Sequence, residues 1–284
     1  MAANDHLVPA LLALGLVFFL AVGLGWLIHR LEIQRGLVAK RDHALVSDGI
    51  SGALGFIGGT ASFLLGVLML TSIDHFKATQ EVARAEATAF SAAFDATAAL
   101  ADEPQSLIRR DLVCLMRSVV EDSWHATAWG DLTGDENTHA WVMRAHATLY
   151  GVDAERSTDE AALQRVGDQL AEAVMAGQSR LLSAAAFMPI TLWILVYVGL
   201  FVVFLVVTLL LRPYPLLASV ALVSMLLLTA AMIWTLAAYE EPFNQDDGVY
   251  IAPNALDAVM TRLRDAYPGP AWEPCERLAR SEMG

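Results

Sequence analysis

The sequence predicts an all-α membrane protein with four transmembrane helices and a helical extramembrane layer between the second and third of them. Of its 284 residues, 56% are hydrophobic and 17% are charged, which is more apolar than a water-soluble domain. The apolar residues gather in four uncharged runs. Each run reaches the ~20 residues that a helix needs to cross a ~30 Å hydrocarbon layer. No segment shows the alternating pattern of a strand.

The four apolar runs place the spans at residues 7–28, 50–73, 182–211 and 216–238. Four buried helices of a soluble core are the alternative, but the remaining chain is too short and too charged to cover them. The first run is longer than the ~7–15-residue apolar region of a signal peptide, and Asp5 stands where a basic segment would precede one. The chain is therefore predicted to consist of a transmembrane hairpin, an acidic helical segment, a second hairpin and an acidic tail, at residues 1–73, 74–181, 182–238 and 239–284.

The charges beside the spans predict the orientation. The two short loops between spans hold basic residues, namely Arg30, Arg35, Lys40 and Arg41 in the first and Arg212 in the second. Lys and Arg near span ends favour the cytoplasmic side. Residues 74–180 hold 18 acids against 9 Lys or Arg, and the tail from residue 240 holds 9 against 4. We therefore expect the helical segment and both termini on the extracytoplasmic side.

The two cysteines of the chain, Cys114 and Cys275, both fall in the segments expected outside. In an oxidising compartment they could form a disulfide, which requires Cα atoms within ~7 Å of each other. Two unpaired thiols are the other possibility, and the sequence leaves both open. No Cys/His spacing suits zinc, and we expect neither a metal nor a cofactor.

The segment after the second span has an Ala-rich helical composition, so that span is expected to continue into it without a break. One face of the continued helix collects Phe76, Ala83, Phe90, Phe94 and Ala98. A new amphipathic helix is expected from about Pro104 to Trp124, with Leu107 on its apolar stripe. A loop at residues 130–137 and helices at 139–150 and 158–181 complete the helical layer.

No catalytic motif is present in the chain. It lacks a phosphate-binding Gly-rich loop, GxSxG and HExxH, and its seven histidines are scattered without ligand spacing. Glu121 and Asp122 are adjacent acids beside Trp124. Neighbouring residues on a helix point in different directions, so a solvated face is favoured over a shared acid/base site. The sequence does not predict an enzyme.

The second span carries two stripes of residues. Small residues recur at spacings of 3, 4, 3 and 4, namely Gly52, Gly55, Gly59, Ser62 and Gly66. Beside them, at spacings of 4, 3 and 4, lie Phe56, Thr60, Phe63 and Val67. Small-xxx-small spacing lets membrane helices approach closely, and hydrophobic constrictions can gate pores by dewetting. Two interpretations stay open: the small stripe seats a helix of the same chain, or the span packs centrally in an oligomer with the Phe stripe facing a pore.

Several blocks of the chain, in order and spacing, resemble the bacterial bestrophin-like proteins. The blocks are residues 50–66 running into HFKATQEVARAEATAF, then LMRSVVEDSWHA, RLLSAAAFMPITLWILVYVG and EEPFNQDDGVYIAPNALDAVM. The resemblance extends over about residues 45–264. The residues that fit the family pattern are Gly52, Gly59, Glu86, Glu121, Trp124, Arg180, Pro189, Trp193, Pro242, Phe243, Gly248 and Pro253.

The resemblance implies a homo-oligomeric ion channel of a bacterial inner membrane, because true bestrophins are pentameric channels whose second span lines the pore. Membrane lipid and inorganic ions are then the expected partners, and nucleic acid is not. Bestrophins clasp calcium after the fourth span with a Pro-Phe and an acidic run. Here that run, Asp246 and Asp247, stops at Gly248, which leaves too few oxygens for the 6–8 ligands that Ca²⁺ prefers.

Bestrophins keep both termini and the large helical segment in the cytoplasm, which is opposite to the orientation that the basic loops predict. A second function of a different class also fits the sequence. It is a non-conducting envelope protein whose helical layer binds a partner or senses conditions, with the spans as anchor.

Overall fold

The computed structural model describes residues 7–34, 43–128, 135–152, 157–184, 188–211, 215–240, 242–244 and 249–278. These ranges contain helices and turns and no strand. Their α-helices are α1 (Leu7–Gln34), α2 (His43–Ala96), α3 (Asp102–Ser118), α4 (Trp124–Ala128), α5 (Glu136–Tyr150), α6 (Ser157–Ser183), α7 (Ile190–Leu210), α8 (Pro215–Glu240) and α9 (Asn254–Ala266).

Four helices are long and apolar enough to cross a membrane, and they confirm the predicted all-α, four-span fold. Their apolar stretches are Val8–Leu31 in α1, Gly58–Ala99 beginning in α2, Ile190–Leu210 in α7 and Leu216–Glu240 in α8. α2 is one helix from His43 to Ala96, as its Ala-rich second half predicts.

Three details of the sequence prediction are wrong. The third span does not begin at residue 182, because α6 ends at Ser183 and α7 begins at Ile190, after Pro189. Proline disfavours helix at the residue before it and supplies no N–H for a helical bond. Ala98 does not lie on the apolar face of α2. It is exposed, because α2 ends at Ala96 and the α-helical spacing does not continue to residue 98. Leu107 is also exposed, whereas the other residues of the predicted apolar stripe are buried, namely Ile108, Leu112, Leu115, Met116 and Val119.

The chain divides into two compact units. We call Met1–His75 with Ala186–Glu240 the span unit, and Phe76–Ala185 with Glu241–Gly284 the helical unit. In the span unit, α1 packs against α7 and α8. Its core includes the buried side chains of Leu14, Ala21, Phe204 and Ile233. The ring of Phe18 meets Phe204 edge-on at 5.3 Å between centroids.

The core of the helical unit is built by the second half of α2 together with α3, α5, α6 and α9. Phe90 and Phe94 from α2 and Leu112, Leu115 and Met116 from α3 are all buried in it. The amphipathic patterns of these helices place their apolar stripes on one shared core. Asp135 caps the N-terminus of α5: its carboxylate accepts hydrogen bonds from the backbone N–H groups of Asn137 and Thr138 at 2.7 and 3.1 Å.

Gly25 permits the close approach of α1 to α7. A Cβ at this position would lie 2.8 Å from Cγ2 of Thr208, which is closer than Cβ contacts come. Gly25→Leu is therefore expected to lower the thermal midpoint of the detergent-solubilised protein, since overpacking costs ~1–3 kcal/mol. Gly23→Leu is the matched control because nothing lies within 4 Å of that position. Equal melting of both variants would show that α1 and α7 are not closely packed at Gly25.

Candidate functional site

The stripe of α2 that would face a pore, if the second span packs centrally in an oligomer, is exposed in the single chain. The exposed fractions are 77% for Phe56 and 69% for Phe63, and Val67 is also exposed. Thr60 is exposed, and its hydroxyl donates to the carbonyl of Phe56 at 2.8 Å. The hydroxyl is thus satisfied within the helix, and the stripe presents an apolar surface with two large aromatic rings.

The neighbouring stripe of small residues is also open. At Gly52, Gly55, Gly59 and Gly66, no atom outside the local helix lies within 4 Å of the position that a Cβ would take. Ser62, in the same stripe, is exposed. None of the described residues fills this stripe, whereas the same-chain interpretation requires a helix seated on it. It is free to accept a helix from outside the described chain.

The other side of α2 attaches it to the span unit. Leu68 is buried, and Ala61 and Leu65 pack against the same apolar cluster, which includes residues of α7. Ala61, Leu65 and Leu68 lie at helical spacings of 4 and 3, so they form one face, more than 100° around the helix from both exposed stripes. α2 therefore contacts the rest of the span unit through one face, and the small stripe and the Phe stripe face outward.

A buried arginine organises the helical unit. The side chain of Arg180 on α6 is 1% exposed, and its Nε donates to Oε2 of Glu86 on α2 at 2.8 Å. Its Nη1 and Nη2 donate to the hydroxyls of Thr127 and Ser123, each at 3.1 Å. The guanidinium also lies 4.3 Å from the ring centroid of Trp124. Every face of this buried charge has a partner, as its removal from water requires.

Two backbone features make room for the arginine and its partner. A π-helical turn at Val119–Ser123 separates α3 from α4. The wider turn rotates the residues that follow it, and Ser123 and Thr127 both meet Arg180. At Gly177, one turn before Arg180, a Cβ would lie 2.8 Å from Oε1 of Glu86. Glycine at 177 therefore leaves the space that the Glu86 carboxylate occupies.

Trp124 connects this centre to the chain after the fourth span. Its indole Nε1 donates to the carbonyl of Ile251 at 3.0 Å, and its ring meets Phe243 edge-on at 5.6 Å between centroids. The backbone N–H of Ile251 donates to the carbonyl of Pro242 at 2.6 Å. We name the group that results the arginine cluster; its members are Glu86, Ser123, Trp124, Thr127, Arg180, Pro242, Phe243 and Ile251.

The arginine cluster brings together five residues that the sequence singled out by resemblance alone. Of the other seven, Gly52 and Gly59 belong to the small stripe of α2, and Gly248 lies outside the described residues. Glu121 is exposed on the π-helical turn, Pro189 precedes α7, Trp193 stacks on Tyr197, and Pro253 precedes α9. Sequence analysis missed Ser123, Thr127 and Gly177, because their role depends on contacts that no local spacing shows. The basic loop residues and the acidic run that the sequence analysis singled out lie outside the described part of the chain, namely Arg35, Lys40, Arg41, Arg212, Asp246, Asp247 and Gly248.

A disulfide joins Cys114 of α3 to Cys275 in the segment after α9, with 5.6 Å between the Cα atoms. Arg117 holds the same segment, since its Nη1 and Nη2 donate to the carbonyls of Glu273 and Trp272 at 2.7 and 2.8 Å. The sequence left pairing and free thiols open, and in this structure the cysteines are paired. No local pattern in the sequence identified Arg117.

Arg109 fixes the end of α9 against α3. Its guanidinium carbon lies 4.9 and 4.6 Å from the ring centroids of Phe94 and Tyr267, and its Nε donates to the Thr97 hydroxyl at 2.8 Å. Burial lowers the pKa of Arg109 from its ordinary value, and interactions with Tyr267 and Asp95 oppose that shift. Arginine stays charged because its ordinary pKa lies far above neutral pH.

The described residues contain no group of three or more His, Cys, Asp or Glu side chains that could hold a metal ion. The acids Glu121 and Asp122 do not face each other as a pair. Asp122 accepts hydrogen bonds from Asn137 at 2.7 Å and from Arg277 at 3.1 Å, while Glu121 is exposed.

Removing the buried guanidinium should destabilise the helical unit. Arg180→Met leaves Glu86 buried without its cation, and breaking such a pair costs ~3–5 kcal/mol. We expect a large fall in the thermal midpoint, measured by Trp fluorescence or circular dichroism in detergent. The matched control is Arg277→Met, which removes an exposed partner of Asp122 and should change the midpoint little. A small effect of Arg180→Met would show that the arginine cluster does not hold the unit.

Comparison with known proteins identifies the family and the fold of the chain. A sequence model of the bestrophin-like domain matches residues 15–250 of the 284. No curated protein matches the chain significantly.

The fold is similar to that in a crystal structure of a mutant bacterial bestrophin homologue from Klebsiella pneumoniae. The TM-score is 0.62 at 13% identity, and the match covers 93% of this chain and 99% of that one. At this identity the likeness shows the fold, while the domain match covers most of the chain. The protein therefore belongs to the bestrophin-like family.

Proposed function

We propose that this protein is an oligomeric ion channel of a bacterial inner membrane, in which α2 of each copy surrounds a common axis. Phe56, Thr60, Phe63 and Val67 line the pore. The observation that carries the proposal is that both α2 stripes are uncovered in the single chain. Phe56 and Phe63 are more than two-thirds exposed, and the glycines beside them have no neighbouring atoms. A membrane helix held by one face and bare on two others fits an assembly of copies.

The two open stripes have different roles in this assembly. The small residues around Gly59 let α2 of neighbouring copies approach closely, as small-xxx-small contacts do. The adjacent Phe56 and Phe63 then form apolar rings around the axis. Such rings are narrow and poorly wetted, so the pore stays closed or conducts weakly until a stimulus widens it. Bestrophin-like membership favours a symmetric oligomer, with a pentamer as the expected form.

The permeant ion that we propose is a cation. The helical segment at residues 74–180 carries twice as many acids as Lys and Arg, and the whole chain has a formal net charge of −13. An acidic surface around a pore mouth concentrates cations near it. The effect weakens as salt shortens the ~10 Å screening length.

We propose that the helical unit and both termini lie outside the cytoplasm. The basic residues of the first loop favour this orientation. The disulfide between Cys114 and Cys275 supports it independently, because disulfides persist in oxidising compartments and are rare in the cytosol. This orientation is opposite to the one that the bestrophin resemblance implies.

A second function has one specific observation in its favour. The helical unit contains a cavity of about 310 Å³ beside the disulfide, lined by charged residues that include Glu121, Asp122 and Glu276. A polar cavity suits a non-conducting envelope protein that binds a partner or senses conditions. Ion flux through the reconstituted protein separates this function from the channel.

The orientation can be tested with added cysteines, because the native pair is joined and gives no background labelling. A membrane-impermeant maleimide on intact cells should label Tyr150→Cys, since Tyr150 is 82% exposed on the helical unit. Gly36→Cys in the first loop should react only after the cells are broken. The reverse labelling pattern would place the helical unit in the cytoplasm.

The oligomer can be tested at the small stripe. Gly59→Leu puts a large side chain where the chain itself leaves open space, so any loss reports on contacts between copies. Overpacking of a close helix contact costs ~1–3 kcal/mol. We expect the parent to be an oligomer by mass photometry in mild detergent and Gly59→Leu to dissociate. Ala61→Leu, on the face that holds α2 to the span unit, is the control. If Ala61→Leu dissociates and Gly59→Leu does not, the interface between copies lies on the Ala61 face of α2 and not on the small stripe.

Conduction can be tested by shortening one ring. Phe63→Ala should raise ion flux into liposomes above that of the parent, because it widens and wets the proposed constriction. Leu64→Ala, one residue further around the helix, should leave the flux unchanged. If parent and Phe63→Ala both stay silent across pH, voltage and calcium concentration, or if the particle is a monomer, the channel function fails and the envelope function replaces it.

A further inference from the structure

The chain that follows α9 lies beside α3 and contains almost no regular structure. We call residues 267–278 the strap; its one helical element is a short 3₁₀ turn at Pro270–Trp272. Three prolines disfavour a longer helix, because each removes a backbone N–H, namely Pro268, Pro270 and Pro274. The strap therefore needs contacts with the rest of the helical unit to hold it in place.

The apolar contacts of the strap are slight. Every residue from 264 to 278 is exposed or half-buried. The apolar side chains of the strap that touch the core of the helical unit are all partly exposed, namely Tyr267, Trp272, Cys275 and Leu278. Segments with few buried apolar contacts open at a lower free energy than the core does. We therefore expect the strap to separate from α3 more easily than the helices separate from one another.

The polar contacts of the strap lie near the surface. Arg117 donates to two carbonyls of the strap. Arg277 is 85% exposed and donates to Asp122 at 3.1 Å, and the backbone N–H of Leu278 donates to Oδ1 of Asn137 at 3.1 Å. Exposed ion pairs contribute little to stability. The disulfide to α3 is the covalent connection among these contacts, and it is the strongest of them.

The strap also forms one wall of the polar cavity beside the disulfide. The opposite wall belongs to α3, the π-helical turn and α5, and it includes Asp122 and Asn137, which bind the strap. Displacement of the strap therefore opens the cavity and removes one partner from each of these two side chains. The strap residues that line the cavity are Trp272, Pro274, Cys275, Glu276 and Arg277.

We propose that the strap is a redox-controlled cover of this cavity. It is closed while Cys114 and Cys275 are joined, and it is released when they are reduced. Cys275 is half-buried and Cys114 is 1% exposed, so a reductant reaches the sulfur of Cys275 first. Because the other contacts are weak and lie near the surface, loss of the disulfide frees the strap, whereas loss of any one of the others leaves it attached.

Release is a thiol–disulfide exchange with a dithiol reductant. One thiolate of the reductant attacks Sγ of Cys275, and the bond to Cys114 breaks with its electron pair on Sγ of Cys114, which takes a proton from water. The second thiolate of the reductant then attacks the reductant's own sulfur in the mixed disulfide, and Cys275 leaves as a thiolate that is protonated in turn. The reductant is oxidised to a disulfide, and the protein gains two thiols.

The compartment decides which state of the strap is the resting one. In the extracytoplasmic location proposed above, the disulfide is closed at rest, and a dithiol oxidoreductase is the class of protein that opens it. In the cytoplasm the same pair would be open at rest. The response of the strap to reduction is a property of the helical unit in either location.

Hydrogen exchange on the full chain in mild detergent tests the strap directly. Exchange is followed by mass spectrometry before and after treatment with dithiothreitol, without denaturant. Peptides from residues 267–278 should exchange roughly tenfold faster after reduction, while peptides from α3 and α5 keep their protection. Alkylation with N-ethylmaleimide counts the thiols in the same samples, and it should find none before reduction and two after it.

Two variants separate the covalent connection from the polar contacts. Cys275→Ser removes the disulfide without a reductant, so its strap should exchange fast at once and dithiothreitol should change nothing further. Arg277→Met removes the exposed ion pair with Asp122 and should leave the strap protected until reduction. The parent with and without dithiothreitol requires no substitution, so the test remains valid if a variant does not fold.

Four results would overturn the proposal. The first is unchanged exchange of the strap after two thiols have appeared, and the second is loss of protection in α3 and α5 together with the strap. The third is fast exchange of the strap in Arg277→Met while the disulfide is intact. The fourth is alkylation before reduction, or reduction only in denaturant. None of these readouts depends on conduction, so the strap and the channel can fail separately.

Discussion

The burial of one positive charge constrains the whole helical unit. A guanidinium taken out of water is stable only when charge and hydrogen-bond partners surround it. Arg180 finds them on α2 through Glu86 and, through Ser123 and Thr127, on the π-helical turn and α4. Trp124 covers its face and holds the chain at Ile251. One side chain therefore sets the register of three helices and the path of the segment after the fourth span.

The parts of this fold that depend on local sequence are the parts that sequence predicted. Each span follows from its own apolar run, and the continuation of α2 beyond the membrane span follows from the Ala-rich composition of its second half. The start of the third span was misplaced because the apolar composition of residues 182–189 hides the break at Pro189. The contacts of Arg180 with Glu86 and Thr127 join residues 94 and 53 positions apart. Periodicity carries no information at such separations, and only the family resemblance singled out Glu86 and Arg180.

The two units serve different purposes. In the span unit, α2 is held by the face of Leu68 and leaves Gly59 and Phe63 bare, which is costly only if nothing else covers them. In the proposed assembly, neighbouring copies supply that cover. In the helical unit, the arginine cluster and the disulfide fasten the segment after α8 to helices far away in sequence. The disulfide and the loop charges favour the same orientation for independent physical reasons.

The proposed channel requires that copies of α2 surround an axis with the Phe63 stripe inward. Because the native cysteines are paired, a single Thr60→Cys variant can carry one nitroxide per chain. Pulsed electron paramagnetic resonance on the reconstituted protein should give inter-copy distances at Thr60 that are shorter than those at Leu12→Cys on exposed α1. Equal or longer distances at Thr60, or no inter-copy coupling at either position, would contradict this arrangement.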